Sequence, residues 1–120
     1  MVATILVVED DPAIADLMLT VLVGEGHRVI LAHDGVAGLE AVKRGGFDLL
    51  VTDYMLPNFN GTVLIAYMHD YPACATPVIL MSAALPSVPS LPAPPITTFV
   101  PKPFDLDRFL DLVDTLVAAS

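Results

Sequence analysis

Residues 4–19 read TILVVEDDPAIADLML, and the order of residue types in that run decides the fold. Thr4–Val8 is short, continuous and rich in β-branched residues, the pattern of a strand buried on both faces. Glu9, Asp10 and Asp11 follow at once. Asp11 before Pro12 predicts a helix start, with Asp as N-cap and Pro at the first helical position. Ile14, Leu17, Met18, Val21 and Leu22 give that helix an apolar stripe, and Gly24 and Gly26 end it.

The alternation continues along the chain. RVILA (28–32) predicts a second strand, and a helix runs from about Val36 to Arg44 before Gly45–Gly46 stops it. DLLVTD (48–53) is a third buried strand, PNFNG (57–61) is turn chemistry, and TVLIAYMHDY (62–71) is a helix. PVILMS (77–82) is a fourth strand and TTFV (97–100) can be a fifth. FDLDRFLDLVDTLVAA (104–119) is the final helix, with Leu106, Phe109, Leu110, Val113, Leu116 and Val117 on one side. Asp105 can cap it, and Asp107 suits the positive end of its dipole. Five strands alternating with helices predict an α/β fold: a doubly wound parallel sheet, in one domain spanning 1–120.

Composition narrows the functions. Of the 120 residues, 55% are hydrophobic, enough for one packed core. Fourteen acidic residues against five basic ones give a formal charge of −9. That disfavours direct nucleic acid binding, because phosphates need cations. It favours basic partner surfaces and bound metal cations. Cys74 is the single cysteine, so no intrachain disulfide forms, and it reads as a structural loop residue. The start of the chain has no basic leader, and no apolar run approaches the ~20 residues that span a bilayer. These features predict a cytoplasmic protein without membrane association. His27, His33 and His69 are scattered away from the acids, with no metal-ligand spacing, and read as solvated or partly buried imidazoles.

Ligands of such sheets bind beyond the carboxyl ends of the strands. There the first strand delivers Glu9 and Asp10, the third Asp53, the fourth Ser82 and the fifth Lys102. Taken singly, each has an ordinary reading: a polar turn, a solvated strand end, a helix cap, a surface lysine. Taken together, three carboxylates, a hydroxyl and an ammonium meet on one edge. Crowded carboxylates raise each other's pKa unless a cation sits among them, and all-oxygen ligation suits Mg²⁺. Lys102 can hold a phosphoryl group as a point charge, and an Asp beside Mg²⁺ and Lys can form an aspartyl phosphate.

ILVVEDDP, DLLVTDYMLPNFNG, PVILMSA and FVPKPF resemble, in order, the motif blocks of receiver domains of two-component response regulators. The resemblance implies a flavodoxin-like sheet in the order 2-1-3-4-5. It implies Asp53 as phospho-acceptor, with Glu9, Asp10, Asp53 and the backbone carbonyl of Met55 around Mg²⁺. Lys102 matches the lysine that contacts the phosphoryl group, Pro103 the cis-proline, and Ser82 and Phe99 the switch pair. Core packing is an equal reading of Phe99. Ala83 would leave a phosphodonor room to enter. The implied function is a phosphorelay receiver that catalyses only its own phosphorylation and dephosphorylation. Its implied partners are a histidine kinase or histidine phosphotransferase and a downstream protein that it controls.

LPSVPSLPAPPI (85–96) departs from that pattern. Prolines 86, 89, 92 and 95 recur every third residue and exclude a regular fourth helix, replacing it with an extended segment. Ten residues of polyproline II reach roughly 30 Å, against roughly 17 Å for a strand's length. Val88 and Leu91 would then share an inward edge, with Ser87, Ser90 and Ala93 on another. The segment is either a docking surface for an aromatic-lined groove or a stiff connector. Asn60 and Pro101 are smaller departures. Two rival functions stand beside the receiver: an aspartate-based Mg²⁺ phosphatase and a pseudo-receiver that binds without switching. The phosphatase would carry D-x-D after its first strand, which Glu9–Asp10–Asp11 lacks.

Overall fold

The structure, a computed structural model, describes residues 2–56, 59–68, 76–82 and 97–119, with the backbone alone at 59, 62, 97, 99 and 119. Its elements in chain order are β1 (Thr4–Val8), α1 (Pro12–Gly24), β2 (Arg28–Ala32), α2 (Gly35–Arg44) and β3 (Leu49–Asp53). β4 (Met55–Leu56), β5 (Phe59–Asn60), α3 (Gly61–Met68), β6 (Val78–Ser82), β7 (Thr97–Pro101) and α4 (Leu106–Ala119) follow. The main sheet is parallel, in the order β2-β1-β3-β6-β7. Counting only these five strands, that is the expected order 2-1-3-4-5.

The period of two along each central strand sorts its residues between two cores. Ile5 and Val7 of β1, Leu49 and Val51 of β3, and Ile79 and Met81 of β6 face Met18 and Leu22 of α1 and Phe109 and Val113 of α4. Leu6, Val8, Leu50, Val78 and Leu80 point the other way, onto Ala41 and Val42 of α2 and Leu64, Ile65 and Met68 of α3. Both faces are therefore covered, and β1, β3 and β6 read as continuous apolar runs. Each fully buried aliphatic side chain contributes roughly 1.5–3 kcal/mol. β2 is an edge strand and alternates in burial instead.

Local chemistry sets the boundaries. The Asp11 carboxylate accepts from the N–H groups of Ala13 (2.9 Å) and Ile14 (3.4 Å), capping α1 as expected. Asp105 caps α4 in the same way, through Asp107 and Arg108, so that helix opens at Leu106 rather than at Phe104. Across the turn expected at 57–61, Met55 pairs with Asn60 and Leu56 with Phe59 in a short antiparallel ribbon. Leu17 is 44% exposed although it belongs to the apolar stripe of α1, because α1 packs through Ala15, Met18 and Leu22. Of the imidazoles read as solvated or partly buried, His27 is buried and His33 is exposed. His69, Cys74, Ala83 and the proline run at 85–96 lie outside the described residues.

Candidate functional site

The parallel strands all end on the same side, so β1, β3, β6 and β7 deliver their last residues to one edge. Glu9 follows β1 and is fully buried; its N–H reaches the Ala32 carbonyl at 3.0 Å, which holds it against β2. Asp53 ends β3 with its side chain 11% exposed. Lys102 follows β7, and its N–H donates to the Ser82 carbonyl at the end of β6 (3.0 Å). The Lys102–Pro103 peptide is cis. Each of these residues is thus fixed by the sheet ladder or its immediate continuation.

The side chains then meet. The Lys102 ammonium donates to Asp53 Oδ2 at 2.7 Å and to Glu9 Oε1 at 2.8 Å. The other oxygens are also engaged: Glu9 Oε2 accepts from Asp11 N–H (3.0 Å) and Asp53 Oδ1 from Met55 N–H (3.3 Å). Both carboxylates are therefore oriented from two sides. Burial pushes the Glu9 carboxyl up from its ordinary value, the nearby Asp53 charge adds to this, and Lys102 and the Asp11 N–H only partly offset it. Burial works against the charge on Lys102. Its hydrogen bonds to Asp53 and Glu9, and their negative charge, outweigh that penalty and hold the ammonium above its ordinary value.

Glu9, Asp10 and Asp53 each offer an oxygen within 4.8 Å of the others, with Asp10 exposed. Three carboxylates served by one ammonium leave an excess of negative charge, and an all-oxygen set of this kind fits a hard divalent cation such as Mg²⁺. Asp10 gives that set an accessible side. Ser82 is buried beside the cluster, one position beyond the Met81 that pairs with Asp53. The Met55 backbone adjoins Asp53 through its N–H. Phe99 lies on β7 opposite Leu80, and its ring is outside the described atoms.

The sequence reading did not find one residue that shapes this site. A Cβ placed on Gly61 would lie 2.3 Å from the Asp53 carbonyl oxygen and 3.3 Å from Leu80 Cδ1. Gly61 N–H also donates to the Tyr54 carbonyl at 2.8 Å. The start of α3 therefore presses on the backbone that carries Asp53, and only a residue without a side chain fits there. The glycine in PNFNG was readable as turn chemistry; its contact with Asp53 was not.

The arrangement has known counterparts. The profile of the response regulator receiver domain matches residues 5–114. An uncharacterized transcriptional regulatory protein of Bacillus subtilis, YkoG, is 33% identical over 108 residues, which cover 88% of this chain and 47% of that protein. The chain thus spans about half the length of such curated relatives. A Francisella response regulator receiver domain aligns with TM-score 0.81 and 26% identity, over 98% of both chains. The response regulator TrrA of Thermotoga maritima, solved in complex with Mg²⁺ and BeF, aligns with TM-score 0.81 and 27% identity over 94% of this chain and 97% of that one.

Proposed function

The chain belongs to the response regulator receiver domain family of two-component systems, and on that premise we propose that Asp53 is its phospho-acceptor. The observation that carries this reading is the Lys102 ammonium 2.7 Å from Asp53 Oδ2, beside the buried Glu9 and the accessible Asp10. An oxygen of Asp53 attacks the phosphorus of a phosphohistidine or an acyl phosphate. The P–N or P–O bond to the donor breaks, its electron pair leaves with the imidazole or carboxylate, and the phosphoryl group ends on Asp53. Lys102 stays beside the reacting oxygen and meets the charge that develops on the phosphoryl group. Glu9 also accepts from Lys102 and so helps orient it.

Glu9, Asp10, Asp53 and the Met55 carbonyl would hold Mg²⁺, whose bound charge neutralises phosphoryl oxygens. Ser82 and Phe99 form the readout, Ser82 as the hydroxyl that meets the phosphoryl group. The donor is a histidine kinase or histidine phosphotransferase, and a downstream protein reads the result. The domain has no separate substrate to turn over and catalyses only its own phosphorylation and dephosphorylation. A cytoplasmic setting suits that chemistry, and no described helix is long and apolar enough to cross a membrane.

Acetyl phosphate with Mg²⁺ should label the wild-type chain and leave Asp53→Asn unlabelled. Equal labelling of the two would remove Asp53 from its role. Sustained turnover of a phosphomonoester such as p-nitrophenyl phosphate would favour the phosphatase reading instead.

A further inference from the structure

The beginning of β1, at the opposite end of the strand from Glu9 and Asp10, is held by two side chains that act as acceptors. The N–H of Ala3 donates to Nδ1 of His27 at 3.2 Å, and the N–H of Thr4 donates to Oδ2 of Asp48 at 2.9 Å. Backbone bonds close both loops: Arg28 N–H reaches the Ala3 carbonyl at 2.8 Å, and Asp48 N–H reaches the Thr4 carbonyl at 2.7 Å. The entry of β1 is thus gripped from β2 on one side and from the approach to β3 on the other.

Of the two acceptors, His27 is the one enclosed in the protein. Its side chain is only 2% exposed, and His27 N–H is itself anchored to the Leu22 carbonyl at the end of α1. Nδ1 can accept from Ala3 only while it carries no proton, so the ring proton must sit on Nε2. Nε2 faces α4, where Asp114 Oδ1 is 3.9 Å away on a side chain 67% exposed. Among the described residues no other carboxylate lies within 4.0 Å of the ring. Its charged sequence neighbours, Glu25 and Arg28, are exposed. A second ring proton would set N–H against the Ala3 N–H and bury a positive charge beside one well-solvated carboxylate at a distance too long for a hydrogen bond.

We propose that His27 is a proton-operated clasp: as the neutral Nε2–H form it fastens the start of β1 to the entry of β2, and on taking a second proton it lets that end go. The clasp is separate from the carboxylate cluster at the far end of the strand. Asn is the informative replacement, because its side-chain oxygen can occupy the Nδ1 position and remains an acceptor at every pH.

The test has two arms on the full chain without metal. Ring nitrogen shifts of the wild type at pH 7.5 should show His27 protonated on Nε2 alone, with the Ala3 amide losing protection from exchange as pH falls to 5.5. Urea unfolding should show the wild type losing stability relative to His27→Asn over the same interval. The other histidines contribute equally to both chains and drop out of that comparison. A ring protonated on Nδ1 at pH 7.5 would overturn the proposal, as would parallel stability curves for the two chains.

Discussion

Gly61→Ala is the sharpest test of how the fold positions Asp53. A new Cβ would sit 2.3 Å from the Asp53 carbonyl oxygen, where real contacts stay beyond 3.0 Å. About 0.7 Å must therefore be gained by moving backbone, since the clashing atom is not the end of a flexible side chain. The Gly61 N–H bond to the Tyr54 carbonyl resists that movement from one side, and the buried Leu80 resists it from the other. Overpacking of this kind costs about 1–3 kcal/mol. Helix propensity alone predicts the opposite sign, a gain of up to about 1 kcal/mol for replacing Gly by Ala. The sign of the change in urea midpoint thus separates the two. A displacement of this size at the proposed nucleophile should also slow labelling by acetyl phosphate roughly 10- to 100-fold. Gly61→Ser should behave like Gly61→Ala, because the Cβ does the damage. An Ala variant at least as stable as wild type, labelled at the wild-type rate, would refute the reasoning.

The carboxylate–lysine cluster gives three further expectations. Saturating Mg²⁺ should stabilise the wild type by about 1.4–2.7 kcal/mol at 10 to 100 times its dissociation constant, and Asp10→Asn should lose most of that gain in thermal unfolding. Glu9 titrates above its unfolded value, so the folded state holds its proton more tightly. Its contribution to stability should fall as pH rises from about 4.5 through the raised value, and Glu9→Gln should lack that component in pH-dependent urea unfolding. Lys102 is also raised, so its contribution is fully present below about 10.5 and is lost as pH climbs through the folded value; Lys102→Met should lack that alkaline loss in the same assay.

The fold was legible because its signals are local and agree with one another. The apolar cores of TILVV (4–8), DLLVTD (48–53) and PVILMS (77–82) could be satisfied only with both faces covered, and Asp11–Pro12 and Asp105 announced their helices. The cluster was legible because strand order brings strand ends together, so the residue after each buried run is a site candidate. Features that depend on three-dimensional approach were not. Leu17 looks like core by spacing, yet the helix packs through its neighbours. His27 reads by type as solvated or partly buried, yet the start of β1 covers it fully. Nothing in PNFNG tells that Gly61 touches the Asp53 backbone, and nothing in EDD tells that both Glu9 oxygens are already engaged, by Lys102 and by the Asp11 N–H. LPSVPSLPAPPI excludes a regular helix on proline chemistry alone; its path and its contacts lie outside the described residues.

Asp53 is proposed as the one carboxylate that takes the phosphoryl group. The most direct measurement of this is peptide mapping by mass spectrometry after brief exposure of the wild-type chain to acetyl phosphate and Mg²⁺. A single phosphoryl adduct is expected, on the peptide holding Asp53, absent without Mg²⁺ and absent in Asp53→Asn. An adduct on Glu9, Asp10 or a histidine, with Asp53 unmodified, would contradict that role.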